Sequence, residues 1–197
     1  MRLTRWTHSC VRLEQDGRVL VIDPGIWSEP RELLGADAVL LTHEHADHVD
    51  VLRLRGLGVA VFAPAGAGLA ELDFTSVNVG DEFSAAGFRV LSVGGAHASV
   101  LPEQAPVVNL GYVVDGSVYH PGDALHVPAL PIETLLVPMQ ASWLKTAEAV
   151  GFVRAVGPER AFGIHDGQVN ERGLERLNHW LSQGGADYRW LAPGTAV

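Results

Sequence analysis

Apolar and polar positions alternate in short runs through the first half of this chain and settle into helical spacing near its end. Cys10 to Glu14 and Arg18 to Ile22 flank Asp16-Gly17, a dipeptide that favours a tight hairpin, so the two runs read as paired strands. The second run stops at Asp23-Pro24-Gly25, where proline removes a donor and glycine permits a sharp turn. Pro30 to Leu34 predicts a short helix. Ala38 to Leu41 is an apolar run that fits a buried strand and leads straight into Thr42-His43. Further strands are predicted at Val59 to Phe62, Phe74 to Val79, Phe88 to Val93, Val107 to Val114, Ser117 to Tyr119, Thr134 to Val137 and Ala161 to Ile164, with Asp115-Gly116 as a second hairpin turn. Helices are predicted at Thr146 to Val156 and Glu171 to Ser182. Ala149, Val150, Val153 and Val156 share one face of the first, and Leu174, Leu177 and Leu181 share one face of the second. Gly157-Pro158 stops the first helix. No repeat, low-complexity tract or long linker divides the chain. Hairpins followed by alternating strands and helices predict sheets covered by helices, an α/β (α+β) layered domain over residues 1–197.

Composition narrows the function classes. The chain has 14 Lys+Arg against 23 Asp+Glu, a net charge of −9, which weighs against holding long nucleic acid through bulk positive charge. One Cys forms no intramolecular disulfide, so this is not a stapled secreted scaffold, and Cys10 reads as a small core residue. Arg2, Arg5 and His8 interrupt the first ten positions, so no signal peptide is legible there. The longest uncharged run, Gly56 to Ala70, is broken by Gly58, Pro64, Gly66 and Gly68 and is shorter than a membrane span. The expectation is a soluble, cytoplasmic protein with no membrane partner.

The chemistry concentrates at His43-Glu44-His45-Ala46-Asp47-His48. Chance produces this H-x-H-x-D-H pattern in such a composition on the order of one time in a thousand. If the strand stays extended past Leu41, His43 and His45 point the same way, and a turn at Val49-Asp50-Val51 brings Asp47 and His48 to the same place. Imidazole and carboxylate are ligands that Zn²⁺, Mn²⁺ and Fe²⁺ accept. Four ligands so close together divide more easily between two neighbouring ions than around one. His97, Asp123 and His165 each follow an apolar run that ends at a sheet rim, where further ligands would come from.

These residues resemble the metallo-β-lactamase superfamily, along nearly the whole chain. His43-x-His45-x-Asp47-His48 is similar to its signature. Gly94-Gly-Ala-His97, His120-Pro-Gly-Asp123 and Phe162-Gly-Ile-His165-Asp166 resemble its later ligand segments. Thr7-His8-Ser9 and Val21-Ile-Asp23-Pro24-Gly25 resemble the opening of the UlaG-like branch. The resemblance implies a four-layer αββα sandwich with a dinuclear centre at one edge. It implies that His43, His45 and His97 bind one divalent ion, that Asp47, His48 and His165 bind the other, and that Asp123 bridges them. Asp23 would orient a ligand without touching an ion. His45 stands where flavodiiron proteins have Glu, which argues against a redox di-iron centre. The chain also lacks length for the extra domains of large RNA-processing members and of glyoxalase II.

The implied activity is a metal-dependent hydrolase, with a hydroxide held between two ions, Zn²⁺ or Mn²⁺, cleaving a small ester, lactone or phosphodiester. Asp47 and His8 are the candidate catalytic side chains, His8 as a donor to an oxyanion or phosphate oxygen. His120 stands either behind a ligand or towards substrate. His126 and His179 are expected to face solvent, and Trp27 and Trp143 either wall the pocket or simply pack. The competing readings are a nuclease-like or cyclic-nucleotide phosphodiesterase, a mononuclear iron dioxygenase, and a metal-binding module without turnover. The expected partner is a small-molecule substrate. β-Lactams are a poor guess.

Overall fold

The computed structural model describes all 197 residues. Strands β1 (Arg2–Arg5), β2 (Val11–Gln15), β3 (Arg18–Ile22), β4 (Ala38–Leu40), β5 (Ala60–Pro64) and β6 (Thr75–Val77) build a first sheet from the first part of the chain. Strands β7 (Glu82–Ala85), β8 (Phe88–Gly94), β9 (Leu110–Val114), β10 (Val118–His120), β11 (Thr134–Pro138), β12 (Arg160–Ile164) and β13 (Asp187–Arg189) build a second. The last strand, β14 (Thr195–Ala196), crosses back to pair with β1, giving the orders β14-β1-β2-β3-β4-β5-β6 and β13-β12-β11-β10-β9-β8-β7. Both sheets are mixed: hairpins at one end, parallel pairs such as β3 with β4 and β11 with β12 at the other.

Side-chain alternation sorts each strand between two cores. In β3, Leu20 and Ile22 face the second sheet, while Val19 and Val21 face outward under helix α1 (Val51–Arg55) and its neighbouring loops. In β11, Leu136 faces the first sheet, while Leu135 and Val137 face helices α2 (Thr146–Val156) and α3 (Glu171–Leu181). Three apolar layers therefore separate four structural ones, the αββα sandwich that the family resemblance implies. Cys10 is fully buried in the outer core of the first sheet. No helix is long and apolar enough to cross a membrane.

The elements agree with the sequence pattern where that pattern is strong. The Asp16-Gly17 hairpin has both residues at positive φ (52° and 75°), the twist that a two-residue turn needs. Helix α2 spans Thr146–Val156 as predicted, stopped by Gly157 at φ 62°. The expected Pro30 helix is a 3₁₀ turn over Pro30–Leu33. One expectation is corrected: β4 ends at Leu40, and the chain then bends at Thr42 to Glu44 and turns at Ala46 to His48 rather than continuing as an extended strand. What holds that segment is lateral bonding to the second sheet. The Leu110 amide donates to the Thr42 carbonyl at 2.9 Å, and the Tyr112 hydroxyl donates to the Leu41 carbonyl at 2.9 Å.

Candidate metal centre

Six loops at the carboxyl ends of β3, β4, β8, β10, β11 and β12 meet at one edge of the sandwich. They are laced together: Ile26 N donates to Ala46 O, Asp50 N to Pro24 O and Ala98 N to Asp123 O, at 2.8–2.9 Å. Gly25 makes the tightest approach. A Cβ there would lie 1.8 Å from the Asp47 carbonyl oxygen, so only glycine lets the two loops touch.

The bends after Leu41 bring His43 and His45 together, the convergence the sequence predicted by another backbone route. His43 Nε2 lies 3.1 Å from His45 Nδ1. A ring nitrogen of His97, from the loop after β8, stands within 4.8 Å of both. Ligand nitrogens on one tetrahedral zinc stand about 3.3 Å apart, so this spacing suits a cation. Asp47, His48 and His165 form a second group with the same spread. Asp123 joins the two. Its Oδ1 is 3.1 Å from His48 Nε2, while its Oδ2 is 3.1 Å from His165 Nε2 and 3.4 Å from His97 Nε2. All seven residues singled out by sequence therefore converge. His97 Nε2 and Asp123 Oδ1 are buried and, despite these contacts, make no well-aligned hydrogen bond, a costly state for two polar atoms that a shared cation would relieve.

The rings are oriented from behind. His48 Nδ1 donates to Asp23 Oδ2 at 2.7 Å, His43 Nδ1 to the Thr42 hydroxyl at 3.0 Å, and His97 Nδ1 to the Ala98 carbonyl at 2.6 Å. His165 Nδ1 donates to the Gln140 carbonyl. Each bond keeps a proton on Nδ1 and turns Nε2 towards the cluster. Asp23 also accepts the Thr42 amide at 2.7 Å and the Thr42 hydroxyl at 2.6 Å. Burial alone would lower His48, but Asp123 and Asp23 together hold it well above the usual imidazole range. Asp123 itself is held well below the carboxylate range: burial opposes this, and His48, His165 and His97 outweigh it. Positive φ at Asp23 (51°), His8 (65°) and His165 (63°) puts three non-glycine residues of one site in the left-handed region.

His8 is buried, 1% exposed, and lies against the second group. Its Nδ1 accepts the Gly167 amide at 3.1 Å, so its proton sits on Nε2, which donates to Asp47 Oδ2 at 3.2 Å. A protonated Nε2 is not a metal ligand, and with both nitrogens engaged the ring has nothing left to offer an oxyanion. Burial lowers His8 to about 4, so it is neutral at physiological pH. Asp47, despite burial, is brought down to about 2 by the hydrogen bond from His8 and the charge of His48.

His120 faces inward. Its Nε2 donates to Ser9 O at 2.8 Å and its Nδ1 accepts the Gly122 amide at 3.1 Å, so it does not reach substrate. His126 and His179 are exposed. Trp143 Nε1 donates to Asp123 Oδ2 at 3.1 Å, and the Trp27 ring meets His8 edge-on at 4.7 Å, so both indoles belong to the site's walls. Sequence reasoning missed the props. Arg53 donates to Asp50 at 2.6 Å, to Glu32 at 2.8 Å and to the Gly25 carbonyl, clamping the loops after β3 and β4. Arg5, fully buried, pairs with Asp166, whose other oxygen takes the Trp190 indole at 2.7 Å. Only adjacency signalled any of them: Thr42 precedes the histidine run and Asp166 follows His165.

Comparison with known proteins gives the family. The β-lactamase superfamily domain matches residues 2–165. The chain belongs to that superfamily. It is 40% identical over 181 residues to protein Rv0786c of Mycobacterium tuberculosis, covering 86% of this chain and 85% of that one. It is 28% identical over 198 residues to the UPF0173 metal-dependent hydrolase MK1542 of Methanopyrus kandleri, covering 85% and 84%. Among solved structures, the metallo hydrolase Igni18 of Ignicoccus hospitalis superposes with a TM-score of 0.75 at 22% identity, over 100% of this chain and 97% of the other. That likeness supports the shared superfamily fold.

Proposed function

We propose that this chain is a metal-dependent hydrolase of the UlaG-like branch, working with two divalent cations, Zn²⁺ first and Mn²⁺ second, on a small ester, lactone or phosphodiester. The observation that carries the reading is Asp123: one carboxylate in contact with the nitrogens of both histidine groups. His43, His45 and His97 would hold one cation, Asp47, His48 and His165 the other, and Asp123 would belong to both. Five imidazoles and two carboxylates are a donor set that zinc accepts. The opening segments around Thr7-His8-Ser9 and Asp23-Pro24-Gly25 support the branch.

When bound, the cation pair supplies activated water and a Lewis acid for the substrate's oxygen. The chain's own residues do the rest. Asp23, Thr42, Ala98 O and Gln140 O hold the four rings by Nδ1, so four Nε2 atoms already face the place where a cation would sit. His8 donates to Asp47 and thereby sets the carboxylate's direction, a positioning role. Trp143 donates to Asp123 and leaves it one oxygen lone pair fewer to share. No Ser or Cys nucleophile is called for, and Cys10 is sealed in a core.

Metal analysis of purified protein tests this. Two ions per chain, with ester or phosphodiester hydrolysis lost to a chelator and restored on reloading, is the expected result. One iron per chain, together with oxygen uptake, would replace it with a mononuclear dioxygenase, in which Asp47 and His48 have no ligand duty.

A further inference from the structure

The mouth of the site has an uneven chemistry. Six of the eleven exposed large apolar side chains lie on the ligand-bearing loops: Ile26 and Trp27 after β3, Val100, Leu101 and Val108 after β8, and Val127 after β10. Ile26 is 53% exposed, although its own amide is tied to Ala46 O between two ligands. Leu101 is 55% exposed on the loop that carries His97. Scattered surface leucines mean nothing, but a concentration on the loops that carry one cluster points to a surface that meets something apolar.

Cationic side chains are missing from the same loops. Residues 24–29, 41–50, 95–109, 121–133, 139–145 and 165–170 contain no Arg, and Lys145 is their one Lys. Lys145 sits at the start of α2, 84% exposed, with its ammonium 3.8 Å from Glu148. The guanidinium groups of Arg5 and Arg53, which bond to these loops, are committed to Asp166 and to Asp50 with Glu32. Sites that recognise phosphate surround it with arginine and lysine or with a row of amides at a long helix start. The same loops instead carry carboxylates among their apolar side chains: Glu29, which accepts from Thr7, Glu44, which accepts from the Gly68 amide, and the exposed Glu103.

We infer that the substrate is a neutral carboxylic ester or lactone whose acyl part is apolar, held by the Ile26–Trp27 and Val100–Leu101 loops while its carbonyl lies over the metal cluster. The inference rests on the hydrolase reading above and deepens it. In the reaction, the oxygen of water forms a new bond to the acyl carbon and the acyl carbon–oxygen bond breaks. One water proton leaves with the alcohol and the other is released as the acid ionises. A lactone gives both products on one molecule.

Kinetics of the metal-loaded enzyme with p-nitrophenyl acetate, butyrate and hexanoate, and with bis(p-nitrophenyl) phosphate, test the substrate class. kcat/KM is expected to rise by about two- to fourfold per added methylene, the effect of partly to fully burying each one. The hexanoate-to-acetate ratio is expected to fall towards one in the Val100→Ser/Leu101→Ser double variant, whose changes lie on an exposed loop. Faster turnover of the phosphodiester than of every carboxylic ester overturns the inference and leaves the hydrolase reading standing. A second measurement separates the two further. Tryptophan fluorescence is titrated with straight-chain amides from butanamide to decanamide, which are neutral and resist hydrolysis. Affinity rising with chain length in a metal-loaded protein that turns over neither the carboxylic esters nor the phosphodiester sinks the hydrolase reading and keeps the apolar mouth. No dependence on chain length in either measurement overturns the inference.

Discussion

The two halves of the candidate centre are held by different means. The first-sheet residues, His43 and His48, are oriented by side chains: Thr42 behind one, Asp23 behind both Thr42 and the other. The second-sheet residues, His97 and His165, are oriented by main-chain carbonyls of Ala98 and Gln140. A carboxylate behind an imidazole raises its basicity as well as aiming it, whereas a carbonyl mainly aims it. The first half can therefore be tuned by single substitutions. The second half yields only to loss of the ligand itself or of the loop's supports.

The largest expected effect comes from removing a first-half ligand outright. His45→Ala is expected to bind one ion fewer per chain and to hydrolyse at background rate. Metal content by mass spectrometry checks this, and a full complement in the variant removes His45 from the ligand set. Next is the side-chain prop that the second half does possess. Arg5 reaches from β1 to Asp166, the residue after His165, and Asp166 Oδ1 also accepts the His8 amide at 3.0 Å. Arg5→Ala leaves that mostly buried carboxylate with two neutral donors and no cation, at a cost of about 3 kcal/mol read by chemical denaturation. A loss under about 1 kcal/mol would mean that water reaches Asp166 and that the pair is not what fixes the loop.

Asp23→Asn tests the asymmetry itself. Asparagine tolerates the left-handed backbone of this position, so the turn survives. All three groups that Asp23 accepts are donors, and the amide turns an NH₂ towards one of them. Metal affinity, measured by competition with a chelator, is expected to fall about 10–100-fold. Unchanged affinity would place the two halves on the same footing.

The same asymmetry explains what was legible in the sequence. The first half is contiguous, so six residues in a row announced it. The second half is three residues dispersed over about seventy positions, marked only by their place after apolar runs; the resemblance to a family is what divided them between two ions. Strands with clean alternation, such as Arg18–Ile22, and the long helices were readable because local pattern and tertiary fate agree there. β1 was not, because Arg5 is a charge at an inward position whose partner lies far along the chain. β13, β14 and the five-residue α1 are too short to carry a period. The predicted strand from Val107 begins at Leu110: Asn109 and Val107 give their carbonyls to Gly95 and His97 and hold that ligand loop instead. His8 looked free to meet substrate because nothing in sequence shows that Gly167 and Asp47 take both its nitrogens.

The smallest expected effect separates the loop from the helix that follows it. Asn170 caps α3, accepting the Gly173 amide at 2.9 Å, and it lies five residues beyond His165. If the helix start positioned the ligand, Asn170→Ala would disturb metal binding. The bonds argue otherwise. His165 is fixed by its own amide, which donates to the His8 carbonyl at 2.9 Å, and by its Nδ1 on Gln140 O, both upstream of the cap. Asn170→Ala is therefore expected to cost about 1 kcal/mol of stability while leaving metal stoichiometry and chelator competition unchanged. A drop in metal content at that small cost would show that the carbonyl-held half depends on α3, and that its rigidity is borrowed from the helix rather than built into the loop.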